Sequence, residues 1–210
     1  MRCPGAWALL VSLVPIGISI AGAEPAIRPG DHIAIIGNTY ADQLRIHGYL
    51  ETLLRQRTQG NPVSIRNLGW GGDTLSIRER PTNFPSEESA LLAHKTDVIV
   101  ICFGMGESYA GKAGLSDFRG HLKRIIAAHK GKKYNGESMV RIALVSPIAH
   151  EDHGELSRNR KQRNKDLADY VGAMQQVASA EDVPFVDLYA PTLYLMDDKG
   201  SPKLTEQGIH

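Results

Sequence analysis

Short runs of apolar residues alternate along this chain with longer segments whose apolar residues recur every three or four positions. The short runs lack polar alternation, which is typical of strands that are buried on both faces of a parallel sheet. Five such strands are predicted, at residues 33–36, 63–65, 98–103, 142–145 and 185–186. Strands that alternate with helices favour an α/β fold, a three-layer α/β/α sandwich with a five-stranded parallel sheet and right-handed crossovers.

Three segments between the predicted strands have the apolar spacing of amphipathic helices. Residues 115–126 and 167–178 each place one apolar stripe toward the sheet, and the polar stretch 151–166 is interpreted as a loop that leads into the second of these helices. A further helix is predicted over residues 44–57, which a Gly-Asn-Pro sequence follows. Its inward-facing side chains are predicted to be Ile46, Leu50, Leu53 and Leu54.

The turn after the first predicted strand is the best candidate for chemistry. The strand stops at Gly37, the polar residues Asn38 and Thr39 follow, and helical spacing begins near Ala41. Open α/β sheets place their ligands at the carboxyl edge of the strands, where this turn lies. From the residues alone, the Thr39 hydroxyl could instead cap the N-terminus of the helix, as threonine does well.

The N-terminal residues have the pattern of a secretory signal peptide. Arg2 supplies a positive start, residues 6–20 are apolar, and Ala21-Gly22-Ala23 has the small-x-small form of a cleavage site. A membrane anchor is the alternative, but this run is short for a bilayer span of about 20 residues. We therefore expect cleavage of residues 1–23, a linker at residues 24–31, and export to the periplasm or out of the cell.

Charge and cysteine content exclude several classes of protein. Loss of Arg2 lowers the basic residues from 24 to 23, which equals the 23 acidic residues, so the mature chain is neutral. A nucleic-acid partner is therefore not expected, nor is membrane attachment after cleavage, and Arg55, Arg57, Arg78 and Arg80 are interpreted as ordinary surface residues. Cys102 is left as a single buried thiol without an intramolecular disulfide. The oligomeric state stays open.

Three further polar or glycine-rich segments follow predicted strands or lie near the end of the chain. They are residues 67–74, 104–108 and 207–210. Together with Gly37-Asn38-Thr39-Tyr40, they resemble in order and spacing the four blocks of the SGNH, or GDSL, hydrolases. This family comprises esterases and carbohydrate deacetylases with a flavodoxin-like sheet. The resemblance spans the whole mature chain, and its second block, which ends in Gly-Asp-Thr, is the most specific.

The resemblance implies three catalytic positions. Thr39 stands where the family's serine attacks the acyl carbon, and its hydroxyl can do so, although its extra methyl restricts χ1 and crowds the approach. His210 stands in the place of the general base, and Gln207 in the place of the aspartate that orients it. A neutral glutamine does not stabilise an imidazolium as a carboxylate does, and an amide in the comparable role of a serine protease costs about 10⁴ in rate.

The resemblance also implies the groups that hold the oxyanion. The backbone N–H of Gly72 is one donor, and Asn38 holds the turn where the family has aspartate. Gly106, before Glu107, replaces the asparagine that supplies a second donor, and loss of such a donor costs about 10² to 10³ in rate. From the residues alone, Gly72 and Gly106 could equally be turn glycines with positive φ.

A closer similarity is to exported bacterial SGNH-like domains that share Gly-Asn-Thr in the first block and the segment Ile148-Ala149-His150-Glu151-Asp152. It implies an SGNH-like domain over residues 32–210 that lacks the segment normally following the family's histidine. His150 and His153 have the spacing H-x-x-H in a predicted loop, which differs from the helical i, i+4 spacing of a zinc motif, and the sequence assigns no third ligand. No metal or cofactor is therefore expected. His150 is expected to line the cleft instead.

Two functions of different classes follow. The first is a hydrolase that attacks an ester or O-acetyl bond of a small molecule or carbohydrate through Thr39 and His210. The second is a catalytically degenerate member of the family that binds a glycan or acylated ligand, because Thr39, Gly106 and Gln207 all depart from the usual residues.

Overall fold

The computed structural model describes residues 26–58, 60–157, 159–197, 200 and 202–210, so the predicted signal peptide lies outside it. The strands are β1 (His32–Gly37), β2 (Ser64–Asn67), β3 (Val98–Cys102), β4 (Arg141–Val145) and β5 (Phe185–Val186). The helices are α1 (Thr39–His47), α2 (Tyr49–Arg57), α3 (Glu87–Ala93), α4 (Leu115–His129), α5 (Arg160–Glu181) and α6 (Tyr189–Asp197). Short 3₁₀ segments lie at Glu107–Gly114 and Gly154–Ser157. Within the described ranges, no helix is both long and apolar enough to cross a membrane.

The five strands form one parallel sheet in the order β2-β1-β3-β4-β5. In register, Ile35 lies between Asn67 of β2 and Val100 of β3. This is the flavodoxin-like order, and it confirms the predicted fold class. The order reverses at β1 and β3, so a crevice opens beyond the carboxyl ends of these two strands, where such folds bind ligands.

The core lies on both faces of the sheet because alternate residues of β1 point to opposite sides. Ala34 and Ile36 pack with side chains of α4 and α5 on one face. Ile33 and Ile35 pack on the other face, against partly buried residues of α1 and α2. Helices cover both faces, as the three-layer sandwich requires.

The helix predicted over residues 44–57 is in fact two helices. Gly48 has φ +65° and ends α1 in a left-handed conformation, and α2 begins at the next residue. The inward-facing prediction is wrong for Ile46 and Leu53, which are 53% and 59% exposed, whereas Leu50 and Leu54 pack against the core.

The long helix α5 begins at Arg160, so residues 160–166 are helical and their assignment to a loop is wrong. Helix α4 follows the predicted spacing, with Phe118, Leu122 and Ile126 buried on one stripe. The short helices α3 and α6 were not predicted from the sequence, since neither has a long apolar stripe.

Candidate active site

The turn from β1 into α1 is held tightly against β3. A side chain at Gly37 would overlap the backbone carbonyl of Cys102, so only glycine fits there. The Asn38 N–H donates to the same carbonyl oxygen at 3.2 Å, and Asn38 Oδ1 accepts from the Tyr40 N–H at 3.1 Å. Asn38 is therefore the N-cap of α1, and Thr39 is its first residue. The alternative in which Thr39 caps the helix is wrong, and its hydroxyl is left for another role.

The Thr39 hydroxyl meets the loop that follows β2. The backbone N–H of Gly72 donates to Thr39 Oγ1 at 3.2 Å. Gly72 has φ +84°, a conformation that glycine adopts at little cost. A Cβ built on Gly72 would find no heavy atom within 4 Å, so the space on the side-chain side of Gly72 is open. The candidate nucleophile and the candidate oxyanion donor thus lie side by side.

Asn67 and Gly69 fix this loop on α1. Asn67 Nδ2 donates to the Ala41 carbonyl at 2.6 Å, and Asn67 Oδ1 accepts from the Gly69 N–H at 2.8 Å. A Cβ on Gly69 would lie 2.6 Å from the Asp42 nitrogen, so the backbones can approach this closely only at glycine. The sequence contained both residues within its second block, but their supporting role depends on a contact that the pattern does not reveal.

Gly106 in the third block has φ −62° and ψ −44°, which any residue adopts, so it is not a turn glycine with positive φ. A Cβ there would lie 3.2 Å from Thr74 Cγ2 and therefore face the second block. The neighbouring Glu107 carboxylate accepts from the N–H groups of Leu75 at 2.8 Å and Gly104 at 2.9 Å. Burial raises the pKa of Glu107, although these two N–H groups oppose that effect. Glu107 joins the second and third blocks.

His210 lies at the same edge of the sheet through its neighbour Ile209. Ile209 packs with Tyr40 against an apolar cluster, and a narrow pocket is lined by Ile209, Tyr40 and Asn38. His210 Nδ1 is buried and has no hydrogen-bond partner among the residues that the structure describes. Among the described residues, no hydrogen bond joins His210 to Gln207, which is exposed, or to Thr39. The orienting contact implied for Gln207 is therefore not made in this structure.

The segment that carries His210 is held by Glu151, whose side chain is 2% exposed. Its carboxylate accepts from the Leu204 N–H at 3.1 Å, the Thr205 N–H at 2.9 Å and the Thr205 hydroxyl at 2.6 Å. The Glu151 N–H donates to the Gly208 carbonyl at 2.8 Å. Burial raises the pKa of Glu151, but the hydrogen bonds from Thr205 and Leu204 outweigh burial and hold this pKa below its usual value. We call residues 202–210 the C-terminal segment.

His150 is buried beneath this segment and does not line the cleft. It is 6% exposed, and a Cβ on Gly208 would lie 3.1 Å from its Cε1. The His150 N–H donates to Asn164 Oδ1 at 2.8 Å, and Asn164 Nδ2 donates back to the His150 carbonyl at 2.9 Å. Burial lowers the pKa of His150. Within the described residues there is also no group of three His, Cys, Asp or Glu side chains that could hold a metal ion.

A groove of about 750 Å³ is lined in part by residues 67–71 of the second block. Arg78 and Arg80 form part of its wall, so their interpretation as ordinary surface residues is wrong. Arg80 holds the buried Asp73 with two hydrogen bonds of 2.9 and 2.6 Å and lies 4.8 Å above the ring of Trp70. Arg78 pairs with Glu87.

The sequence matches the model of the GDSL-like lipase/acylhydrolase family over residues 30–210. No curated protein matches the chain. Solved structures share its fold at low identity. A mutant of Axe2, an acetyl-xylooligosaccharide esterase from Geobacillus, aligns at 17% identity with a TM-score of 0.63 and covers 89% of each chain. A lipase/acylhydrolase from Enterococcus faecalis aligns at 21% identity with a TM-score of 0.58 and covers 85% of each chain.

A third structure, BT4096, is a gut microbial diltiazem-metabolizing enzyme and aligns at 18% identity with a TM-score of 0.57. The alignment covers 80% of the present chain but only 39% of BT4096. At these identities the three structures show the shared fold.

Proposed function

The chain belongs to the GDSL-like lipase/acylhydrolase family, and from that premise we propose that it hydrolyses an ester or O-acetyl bond of a small molecule or carbohydrate with Thr39 as nucleophile. Thr39 Oγ1 attacks the acyl carbon while His210 accepts its proton. The N–H groups of Gly72 and Thr39 stabilise the oxyanion. His210 then returns the proton to the departing alcohol, and water releases the acyl group by the same steps in reverse.

The contact between the Gly72 N–H and Thr39 Oγ1 is the single observation that carries this proposal. An oxyanion donor must lie within hydrogen-bond reach of the oxygen that becomes negatively charged on the attacked carbon, and that oxygen forms next to the nucleophile. The Gly72 N–H lies 3.2 Å from Thr39 Oγ1, in that neighbourhood, which supports its assignment as a donor. Asn67 and Gly69 fix the loop before any ligand binds, so the donor does not have to be ordered during the reaction.

The proposed site lacks two groups that the site of a usual family member uses in catalysis. Gly106 has no side chain to act as a second donor, and in the described part of the chain His210 Nδ1 has no hydrogen-bond partner to stabilise the imidazolium. These two departures favour a second candidate function, in which the same site binds a glycan or acylated ligand without turnover. The candidates differ in whether Thr39 is consumed and regenerated in a reaction.

The test is hydrolysis of aryl acetates and acetylated sugars by the full chain and by three variants. Thr39→Ala removes the nucleophile and is expected to lower turnover by about 10⁴ or more, and His210→Ala by a comparable factor. Thr39→Ser is the matched control, since it keeps the hydroxyl and removes the crowding methyl, and is expected to keep or raise turnover. Hydrolysis that survives Thr39→Ala would show that Thr39 is not the nucleophile. Ligand binding without hydrolysis in the folded wild type would support the second candidate.

A further inference from the structure

The groove beside the proposed site carries more positive than negative charge. Four arginines line it, Arg45, Arg66, Arg78 and Arg80, against the two carboxylates of Asp42 and Glu87. Arg45 pairs with Asp42 at 2.7 Å, Arg78 pairs with Glu87, and Arg80 pairs with the buried Asp73. Arg66 makes no ion pair or side-chain hydrogen bond with any described residue. Its guanidinium is therefore available to an anion that enters the groove.

The groove also has an aromatic wall. Trp70 and Phe84 meet edge to face with ring centroids 5.4 Å apart, and they are 39% and 48% exposed. The Arg80 guanidinium stacks on Trp70 and is itself fixed by Asp73, which holds this wall in one orientation. Exposed aromatic faces of this kind pack against the C–H faces of a ring. The volume of about 750 Å³ is that of a small-molecule site.

The position of the groove relates it to the proposed reaction. Residues 67–71 line the groove, and the next residue, Gly72, donates to the Thr39 hydroxyl. A Cβ on Gly71 would lie 3.9 Å from Thr39 Oγ1, so the groove begins within one side chain of the nucleophile. The second pocket, lined by Asn38, Tyr40 and Ile209, has no room for a water molecule. The groove therefore offers more room to the bulky part of an ester than this second pocket does.

We propose that the groove binds the alcohol part of the ester, and that this alcohol is a ring bearing a carboxylate, as in an O-acylated uronic acid. The carboxylate pairs with Arg66, and the ring packs against Trp70 and Phe84. The proposal rests on the proposed hydrolysis and names the substrate class of that site. A guanidinium offers two parallel N–H donors to a carboxylate, which makes this pairing stronger than one with a neutral hydroxyl.

The first test compares two esters that differ only at C6, which is a carboxylate in methyl glucuronoside and a hydroxymethyl group in methyl glucoside, both acetylated at the same hydroxyl. The full chain is expected to hydrolyse the uronoside with a kcat/KM about tenfold higher. Arg66→Gln is expected to reduce this ratio to near one, and added salt is expected to reduce it in the wild type. Arg124→Gln removes an exposed arginine of α4 that does not line the groove, and it should keep the wild-type ratio. A ratio that Arg66→Gln leaves unchanged overturns the proposal.

The second test does not depend on turnover, so it separates a failure of this proposal from a failure of the proposed hydrolysis. In a Trp7→Phe variant of the full chain, Trp70 is the sole tryptophan. Methyl glucuronoside is expected to change its fluorescence at lower concentration than methyl glucoside does, and Arg66→Gln is expected to abolish that difference. If neither ester is hydrolysed, the groove proposal is judged by the fluorescence alone. A response at lower concentration of methyl glucuronoside supports the proposal, and equal responses to the two glycosides overturn it.

Discussion

Replacement of Glu151 by glutamine is expected to release the C-terminal segment without unfolding the sheet. The carboxylate accepts hydrogen bonds from the Leu204 N–H, the Thr205 N–H and the Thr205 hydroxyl in a buried position. Glutamine has the same shape, but its NH₂ group would face these donors, and its single carbonyl oxygen cannot serve all three. Hydrogen bonds to a charged group contribute about 1.5 to 3 kcal/mol each. Loss of two of them gives a local cost of about 3 to 6 kcal/mol.

Amide hydrogen exchange measures this cost at the residues concerned. A cost of this size corresponds to a decrease of about 10² or more in the protection of the Leu204 and Thr205 amides. The Ile35 amide in β1 reports global stability and should change far less. Glu137→Gln is the matched control, because Glu137 is exposed and its carboxylate makes no described hydrogen bond, so both sets of amides should keep their protection. Unchanged protection at Leu204 and Thr205 in Glu151→Gln would show that the carboxylate does not hold the segment.

The pH dependence of the same contact has a definite sign. The folded protein holds the pKa of Glu151 below its usual value, so the ionised form is bound more favourably than in the unfolded chain. Its contribution is present above the unfolded pKa, about 4.3 for glutamate, and is lost as the pH falls through the folded pKa. Protection of Thr205 in the wild type should therefore decrease below about pH 4, and in Glu151→Gln this acid-dependent decrease should be absent.

Two further predictions concern single positions. Gly106→Asn places an amide beside the proposed site and should raise turnover by about 10² to 10³, whereas Gly106→Ala introduces the same 3.2 Å contact with Thr74 Cγ2 without the donor and should not. In a Cys3→Ser variant, Cys102 should resist iodoacetamide at pH 8 until the protein is denatured, because it is 4% exposed and burial raises its pKa to about 12. Rapid alkylation of the native protein would contradict that burial.

The central strands β1, β3 and β4 could be predicted from the sequence because burial on both faces leaves mostly apolar residues in each run. The edge strands β2 and β5 are only partly buried, and their short apolar runs sufficed to locate them. Helix α1 and helix α2 could not be separated in the same way. Gly48 is one of many glycines, and the sequence pattern does not show which of them adopts the positive φ that ends a helix. Helix α6 was missed because its apolar residues do not form a stripe; it buries Met196 yet leaves Tyr194 80% exposed.

In the candidate site, too, the sequence located residues within short motifs but did not reveal contacts between residues that are far apart in the chain. The block pattern located Thr39 and Gly72, which the structure joins by a hydrogen bond. It could not reveal that Glu151 holds Thr205, since those residues are 54 positions apart and nothing local marks them as partners. The sequence likewise did not reveal that Arg78 pairs with Glu87 and Arg80 with Asp73, because these charges meet only in the folded protein.

The spacing of these contacts along the chain also sets the order in which a growing polypeptide could complete the site. Thr39 and Gly72 are 33 positions apart, and the bond from Leu75 to Glu107 spans 32 positions. The contact between Glu151 and Thr205 closes a loop of 54 positions and involves residues that are synthesised later. A nascent chain can therefore bring the proposed nucleophile and oxyanion donor together well before the proposed base arrives. On the proposed mechanism, incomplete chains would be inert, and activity would begin only when the C-terminal segment docks on Glu151.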